Sequence, residues 1–179
     1  MVLVLSGPVH GGKTTFLERG LPLWAERGLS CGGLLSPAVV DGAGGTGYDL
    51  VEIGTGRRWP YLRRRGDAGA ERIGPFAFVP GTLERARAIL RNAGPSGLLV
   101  VDEVGPLELA GRGLWTSLRE ALETRRRTLL LVIREGLVED FAARLAPVVP
   151  RVFDVREPGV RERLEESLFG AARSDDDQD

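Results

Sequence analysis

Three stretches of the chain are apolar at almost every position: Val2-Leu3-Val4-Leu5, Leu98-Leu99-Val100-Val101, and Leu129 to Ile133 following Thr128. Uniform runs of that length predict strands covered on both faces, as in a parallel sheet flanked by helices. Helical patterns separate them. One covers residues 12–27 and stops near Gly28. Pro22 lies inside it, where its ring opposes the Glu18 carbonyl, so a kink or break is expected around Gly20-Leu21. A second covers Thr82–Asn92, with Leu83, Ala86, Ile89 and Leu90 on one face, and Gly94-Pro95-Ser96-Gly97 ends it. Residues 113–124 and 136–146 read as further helices, 152–155 as a last short strand and 158–171 as a closing helix. Strands alternating with helices in this way predict an α/β fold with a largely parallel sheet.

The stretch from residue 31 to residue 79 follows a different pattern. Residues 31–40 and 47–54 read as two strands joined by the turn-rich Asp41-Gly42-Ala43-Gly44-Gly45-Thr46, a hairpin signal. From 54 to 74 periodicity fades and arginines accumulate, so the 41–74 region is expected to be a hairpin plus an arginine-rich loop able to act as a lid. Residues 73–79 form a candidate strand that Pro75 confines to an edge. The expected organisation is one domain over residues 1–172 and a disordered acidic tail over 173–179, where four of the last five residues are Asp.

Composition removes several classes of function. There are 24 basic and 25 acidic residues, a net charge of −1, and leaving out 173–179 changes the balance only to 23 against 21. No basic domain is present to grip nucleic acid. Cys31 and His10 are the only cysteine and histidine, which excludes an internal disulfide and a Cys/His zinc cage. No apolar run approaches membrane-spanning length, and MVLVLSG lacks the charged region and cleavage site of a signal peptide, so a cytoplasmic location is expected. Of the 24 basic residues 23 are arginine; the exception is Lys13.

That lysine sits in Gly7-Pro8-Val9-His10-Gly11-Gly12-Lys13-Thr14, which fits G-x-x-x-x-G-K-[ST] between an apolar strand and a helix. Glycines let backbone N–H groups turn inward around a polyphosphate, and the helix start adds unpaired amides and a positive dipole end. Residues 7–15 are therefore the candidate nucleotide-binding set. Within it Lys13 reaches the β- and γ-phosphates, Thr14 coordinates Mg2+ and Thr15 meets the α-phosphate. The run 98–101 then delivers Asp102-Glu103 to the strand's C-terminal end, where α/β sheets bind ligands. Asp102 is the second candidate metal ligand, and Glu103 is the candidate base for the attacking water. Alternating strand geometry lets both reach one site only if the chain turns straight after Asp102, and Gly105-Pro106 offers that turn.

Charge developing in phosphoryl transfer calls for a further cation. Arg134 follows a strand and emerges on the catalytic edge; Arg112 and the group Arg57, Arg58, Arg63, Arg64, Arg65 and Arg72 are the other candidates. Glu108 is expected to be a structural partner, Trp24 and Trp115 to be packing residues, and Trp59 to pack or to stack on a base.

With both motifs placed, the chain resembles the cancer-related and thermophilic nucleoside-triphosphatase family of small P-loop proteins. The resemblance rests on the Gly7 to Thr14 loop, Cys31-Gly32-Gly33-Leu34-Leu35-Ser36, Gly47-Tyr48-Asp49-Leu50-Val51, Ile73-Gly74-Pro75-Phe76 and, above all, Asp102-Glu103-Val104-Gly105-Pro106-Leu107-Glu108-Leu109. It implies a P-loop NTPase domain of RecA-like, Rossmann type: a three-layer sandwich around a mostly parallel sheet. It also implies magnesium dependence and slow hydrolysis of ATP, GTP and other nucleoside triphosphates. The family pattern carries basic residues where this chain has Pro75 and Pro106, which implies either lowered activity or a transfer of their work to arginines elsewhere. Two other functions use the same loop. One is a nucleotide or nucleoside kinase. The other is a nucleotide-dependent adaptor similar to the GTP-binding proteins of molybdenum-cofactor assembly. With Lys13 as the sole lysine, the guanine-reading N/T-K-x-D motif is absent, which weighs against a GTP switch.

Overall fold

The computed structural model describes residues 1–40, 46–64, 71–94, 97–124 and 128–175. The uniformly apolar runs become the inner strands of one mixed sheet. β1 (Val2–Gly7) lies between β10 (Arg151–Asp154) and β9 (Thr128–Arg134), followed by β8 (Leu98–Val104) and β2 (Cys31–Leu35), with all neighbours parallel. Beyond β2 the pairing turns antiparallel through β4 (Thr46–Glu52), β5 (Arg58–Arg63), β7 (Phe76–Phe78) and β6 (Arg72–Ile73), and β3 (Ala38–Val40) pairs with β4.

Alternation along each inner strand feeds two separate cores. Leu3, Leu5, Leu130 and Val132 pack on one face against α1 (Lys13–Glu26) and α6 (Val160–Asp175). Val2, Val4, Leu129 and Leu131 pack on the other against α2 (Thr82–Asn92), α4 (Trp115–Thr124) and α5 (Val138–Arg144). The result is helix, sheet and helix in layers, and it explains why these strands carry no polar face. Among the described residues no helix is long and apolar enough to cross a membrane.

Several expectations need correction. α1 runs without a break through Pro22: Leu17, Gly20, Leu21 and Trp24 hold its buried side while Pro22 projects to the exposed side. Residues 31–40 split at Ser36-Pro37 into β2 and β3. The arginine-rich segment contains a regular strand, β5, whose Trp59 and Tyr61 join the second core while Arg58 and Pro60 are exposed. Residues 73–79 are two strands, β6 and β7, turned about Gly74-Pro75 at the end of the sheet. The helix expected at 136–146 opens as a 3-10 turn, Glu135–Leu137, and a short α3 (Pro106–Leu109) begins at the proline that the turn requires. The hairpin turn at 41–45 and the loop at 65–70, with Arg65, lie outside the described residues, as does the end of the acidic tail from 176.

One glycine is essential to this arrangement. Gly33 has φ +105°, and a Cβ there would lie 2.0 Å from the Val100 carbonyl oxygen across the β2–β8 pair. Only a residue without a side chain lets these strands approach, and that approach fixes Ser36 near the end of β8.

Candidate active site

The sheet order places three strand ends side by side. Arg134 at the end of β9 is in register with Gly7 of β1, and Ile133 is in register with Val104 of β8. The glycine loop, Arg134 and Asp102-Glu103 therefore converge on one edge.

The loop is built as its residues dictate. Gly12, at φ +82°, is the N-cap of α1 and has no side chain with which to cap it. The Gly11 N–H donates to the Pro8 carbonyl at 3.0 Å, which closes the bend. Lys13 is buried, and its Nζ donates to the carbonyls of Gly7 (3.1 Å) and Pro8 (2.6 Å). Burial lowers its pKa, while Glu103 and Asp102 act in the opposite direction. Val9, His10 and Thr15 are exposed at the mouth.

Asp102 is 1% exposed. Its Oδ2 accepts hydrogen bonds from the Thr14 hydroxyl at 2.9 Å and from the Ser36 N–H at 3.0 Å. Its Oδ1 and the Ser36 hydroxyl are buried without a hydrogen-bond partner among the described residues. Burial first, and the neighbouring Glu103 charge second, push the Asp102 carboxyl up to about 6. A buried carboxylate with an idle oxygen, beside two hydroxyls, is a hard-oxygen donor set. Magnesium suits it, because that ion takes few protein ligands and fills its octahedron with water and phosphate oxygens. No cluster of three His, Cys, Asp or Glu that could cage a metal occurs among the described residues.

Glu103 reaches the site by a route that strand alternation did not suggest. The strand does not turn after Asp102 but continues to Val104 through a bulge: three steps on β8, from Val101 to Val104, face two on β9, from Leu131 to Ile133. Glu103 is the extra residue, at φ +63°. Among the described residues it and His10 are the two non-glycines with positive φ, and both border the cleft. The Glu103 Oε2 lies 3.6 Å from the Arg134 guanidinium, with both side chains part-exposed.

Two cavities of about 360 Å³ each meet here. The first covers the loop and is lined by residues 9–15 of the binding set together with Ser36, Pro37, Ala38 and Arg58. The second lies under the antiparallel strands, with Tyr61, Phe76, Phe78, Leu107 and Leu114 in its lining and Asp102 and Arg134 at one end. Val9, His10, Tyr48 and Glu103 border both.

The remaining cations separate clearly. Arg63 is held by Asp49 at 2.6 Å and by the Tyr48 carbonyl, Arg112 pairs with Glu71 at 2.6 Å, and Arg72 donates to the Pro75 carbonyl. Of the candidates besides Arg134, Arg58 lines the first cavity and Arg64 the second. Trp59 lies beneath the Arg85 guanidinium, 4.5 Å from its ring centroid, and lines neither cavity, so it is a packing residue. Trp24 is fully buried. The Glu108 carboxylate accepts from the N–H groups of Gly105 and Leu114, both at 2.9 Å, and ties α3 to the start of α4. Pro75 and Pro106 both line the second cavity. Ser36 and Tyr48 were assigned no role in the sequence, although both fall in blocks that carry the family resemblance.

A family model described as NTPase matches residues 2–168. The nucleoside-triphosphatase THEP1 of Methanopyrus kandleri is 30% identical over 131 residues, covering 73% of this chain and 72% of that protein. A cancer-related nucleoside-triphosphatase homolog of Bos taurus is 30% identical over 132 residues, 66% of this chain and 67% of the other. The solution structure of a human cancer-related nucleoside triphosphatase matches with a TM-score of 0.70 at 26% identity, covering 96% of this chain and 97% of that one. The glycine loop and the Asp102-Glu103 strand end both fall inside the matched region, and the chain belongs to this NTPase family.

Proposed function

We propose that the protein is a magnesium-dependent P-loop nucleoside-triphosphatase, active in the cytoplasm as one domain over residues 1–172. It converts NTP and water to NDP and phosphate with broad base preference. The observation that carries the reading is the 2.9 Å bond from Thr14, the residue after the loop lysine, to a buried Asp102 with one idle carboxylate oxygen. The names of the relatives at 30% identity support the same reaction.

The loop amides of residues 7–15 receive the phosphate chain, and Lys13 exchanges its two loop carbonyls for β- and γ-phosphate oxygens. Asp102 and Thr14 would hold the metal, with Ser36 beside them; when bound, magnesium supplies neutralisation of phosphate charge. Glu103 orients a water for in-line attack on the γ-phosphorus and accepts its proton. Arg134 restrains Glu103 at rest and stands where charge grows as the phosphoanhydride breaks.

The test is orthophosphate release from Mg-ATP, Mg-GTP, Mg-CTP and Mg-UTP without any added acceptor. Release from all four, reduced about a hundredfold or more in Glu103→Gln with nucleotide binding retained, is the expected result. Undiminished release in Glu103→Gln overturns the assignment of the base.

A further inference from the structure

Hydrolysis asks little of the space beyond Glu103. One water occupies about 30 Å³, whereas the second cavity holds about 360 Å³. Much of its lining is also aromatic. Tyr48 and Phe76 meet edge to face at 5.3 Å, and Tyr61 and Phe78 at 5.2 Å, so much of the lining is ring surface that offers a solvent molecule no hydrogen bond. The volume lies within the range of small-molecule sites, and so does the design: an apolar body with a few polar groups converging at one end.

Those polar groups decide what enters and where it points. The Glu108 carboxylate is already occupied by two backbone N–H groups. Glu103 and Arg134 stand, with Asp102 and His10, at the end that the cavity shares with the phosphate site, and Arg64 also lines it. Arg134 faces Glu103 at 3.6 Å and the Arg64 guanidinium lies over the Phe76 ring, 5.4 Å from its centroid, so the two arginines are not gathered into a cation cluster for a multiply charged ligand. The cavity is not the seat of the nucleotide's own base either. Its lining omits Lys13, Thr14 and Thr15, and Thr15 marks the α-phosphate side from which the nucleoside extends.

We propose that this cavity is an acceptor site: it binds a neutral aromatic or heteroaromatic alcohol of one or two rings, whose hydroxyl takes the place of water. The proposal rests on the phosphohydrolase reading of Glu103 and the loop. The alcohol oxygen attacks the γ-phosphorus, and an O–P bond forms as the bond to the β,γ-bridging oxygen breaks. The hydroxyl proton passes to the Glu103 carboxylate, and the electron pair of the broken bond leaves with NDP. The products are a phosphate monoester and NDP, and nothing is oxidised or reduced.

The experiment follows γ-labelled Mg-ATP with the full chain in the presence of 2-phenylethanol, benzyl alcohol or methanol at equal concentration. It reads the ratio of phosphate ester to orthophosphate within each sample. The expected ratio is about tenfold or more higher for the aromatic alcohols than for methanol, since burial of a ring is worth at least that factor. Ile73→Trp narrows the cavity from its part-exposed edge and brings the aromatic ratio down to that of methanol. Phe76→Ala, which removes a ring from the wall, lowers it as a second, independent change. Equal ratios for methanol and the aromatic alcohols in the unaltered chain overturn the proposal, even if no variant folds. So does an aromatic alcohol that slows orthophosphate release without forming ester, or a preference that survives Ile73→Trp. Absence of orthophosphate in samples without alcohol counts instead against the hydrolase reading, so the two failures are separable.

Discussion

The parallel and antiparallel halves of the sheet use similar side chains for different ends. In β1, β8, β9 and β2 apolar residues lie on both faces, both faces are covered by helices, and the useful groups are confined to the strand ends. In β4, β5 and β7 the aromatic side chains of Tyr48, Tyr61, Phe76 and Phe78 line a cavity. One half gathers a loop lysine, two carboxylates and an arginine at its strand ends; the other surrounds the adjoining cavity. On the proposed reading phosphate chemistry belongs to the parallel half and selectivity to the antiparallel one, and changes in the two halves then have separable consequences.

The largest effect expected is on the parallel half. Lys13→Ala removes the ammonium group while leaving the loop's glycines in place. Its hydrogen-bond partners in the structure are the carbonyls of Gly7 and Pro8, so the variant keeps the circular dichroism of the parent and melts at most a few degrees lower. Its kcat/KM for Mg-ATP falls by about a thousandfold or more, the scale of losing a preorganised charge at a transferring phosphoryl group. A Lys13→Ala protein with normal turnover would move the phosphate site elsewhere. Glu103→Gln comes next, with kcat lowered about a hundredfold or more and nucleotide affinity held, as measured by titration with a non-hydrolysable analogue.

How much of this was legible in the chain follows the same division. The inner strands were plain because burial on both faces leaves no polar residue to confuse the period. The glycine loop was plain because its pattern is local: the eight residues from Gly7 to Thr14 are enough to write it. β5 was hidden because Arg58, Pro60 and Arg63 interrupt its pattern, and Trp59 and Tyr61 acquire a face only when β4 and β7 pair beside them. The Glu103 bulge was hidden for a related reason. Its left-handed backbone is imposed by the register of β8 on β9, which no neighbouring residue encodes. Ser36 reaches Asp102 across 66 residues of sequence through Gly33, whose role is visible only as a 2.0 Å approach to another strand.

A smaller effect, of opposite sign, concerns stability. In metal-free protein the Asp102 carboxyl is raised to about 6 against an unfolded value near 3.8, so between those pH values the folded state holds more protons than the unfolded one. Stability therefore declines as pH rises through that window, and above it a penalty of about 3 kcal/mol is fully present. Asp102→Asn removes the charge, so with chelator at pH 8 the variant melts several degrees above the parent, and the gap closes toward pH 4. The same variant loses hydrolysis. A gap independent of pH would mean that Asp102 carries no electrostatic strain in the empty fold.

The smallest effect tests the antiparallel half alone. The Arg85 guanidinium, on the exposed side of α2, covers the Trp59 ring at 4.5 Å and ties the helix to β5 without lining either cavity. An exposed cation–π pair of this kind is worth about 0.5–1 kcal/mol. Arg85→Ala should therefore lower the melting temperature by about 1–4 °C and leave both orthophosphate release and its dependence on Mg-ATP concentration where they were. Trp59→Leu removes the same contact together with part of the core around it, so it should cost more stability and make a further Arg85→Ala change nearly silent. If Arg85→Ala altered turnover with the fold intact, the antiparallel strands would be coupled to the phosphate chemistry through α2, and the division between the two halves of the sheet would fail.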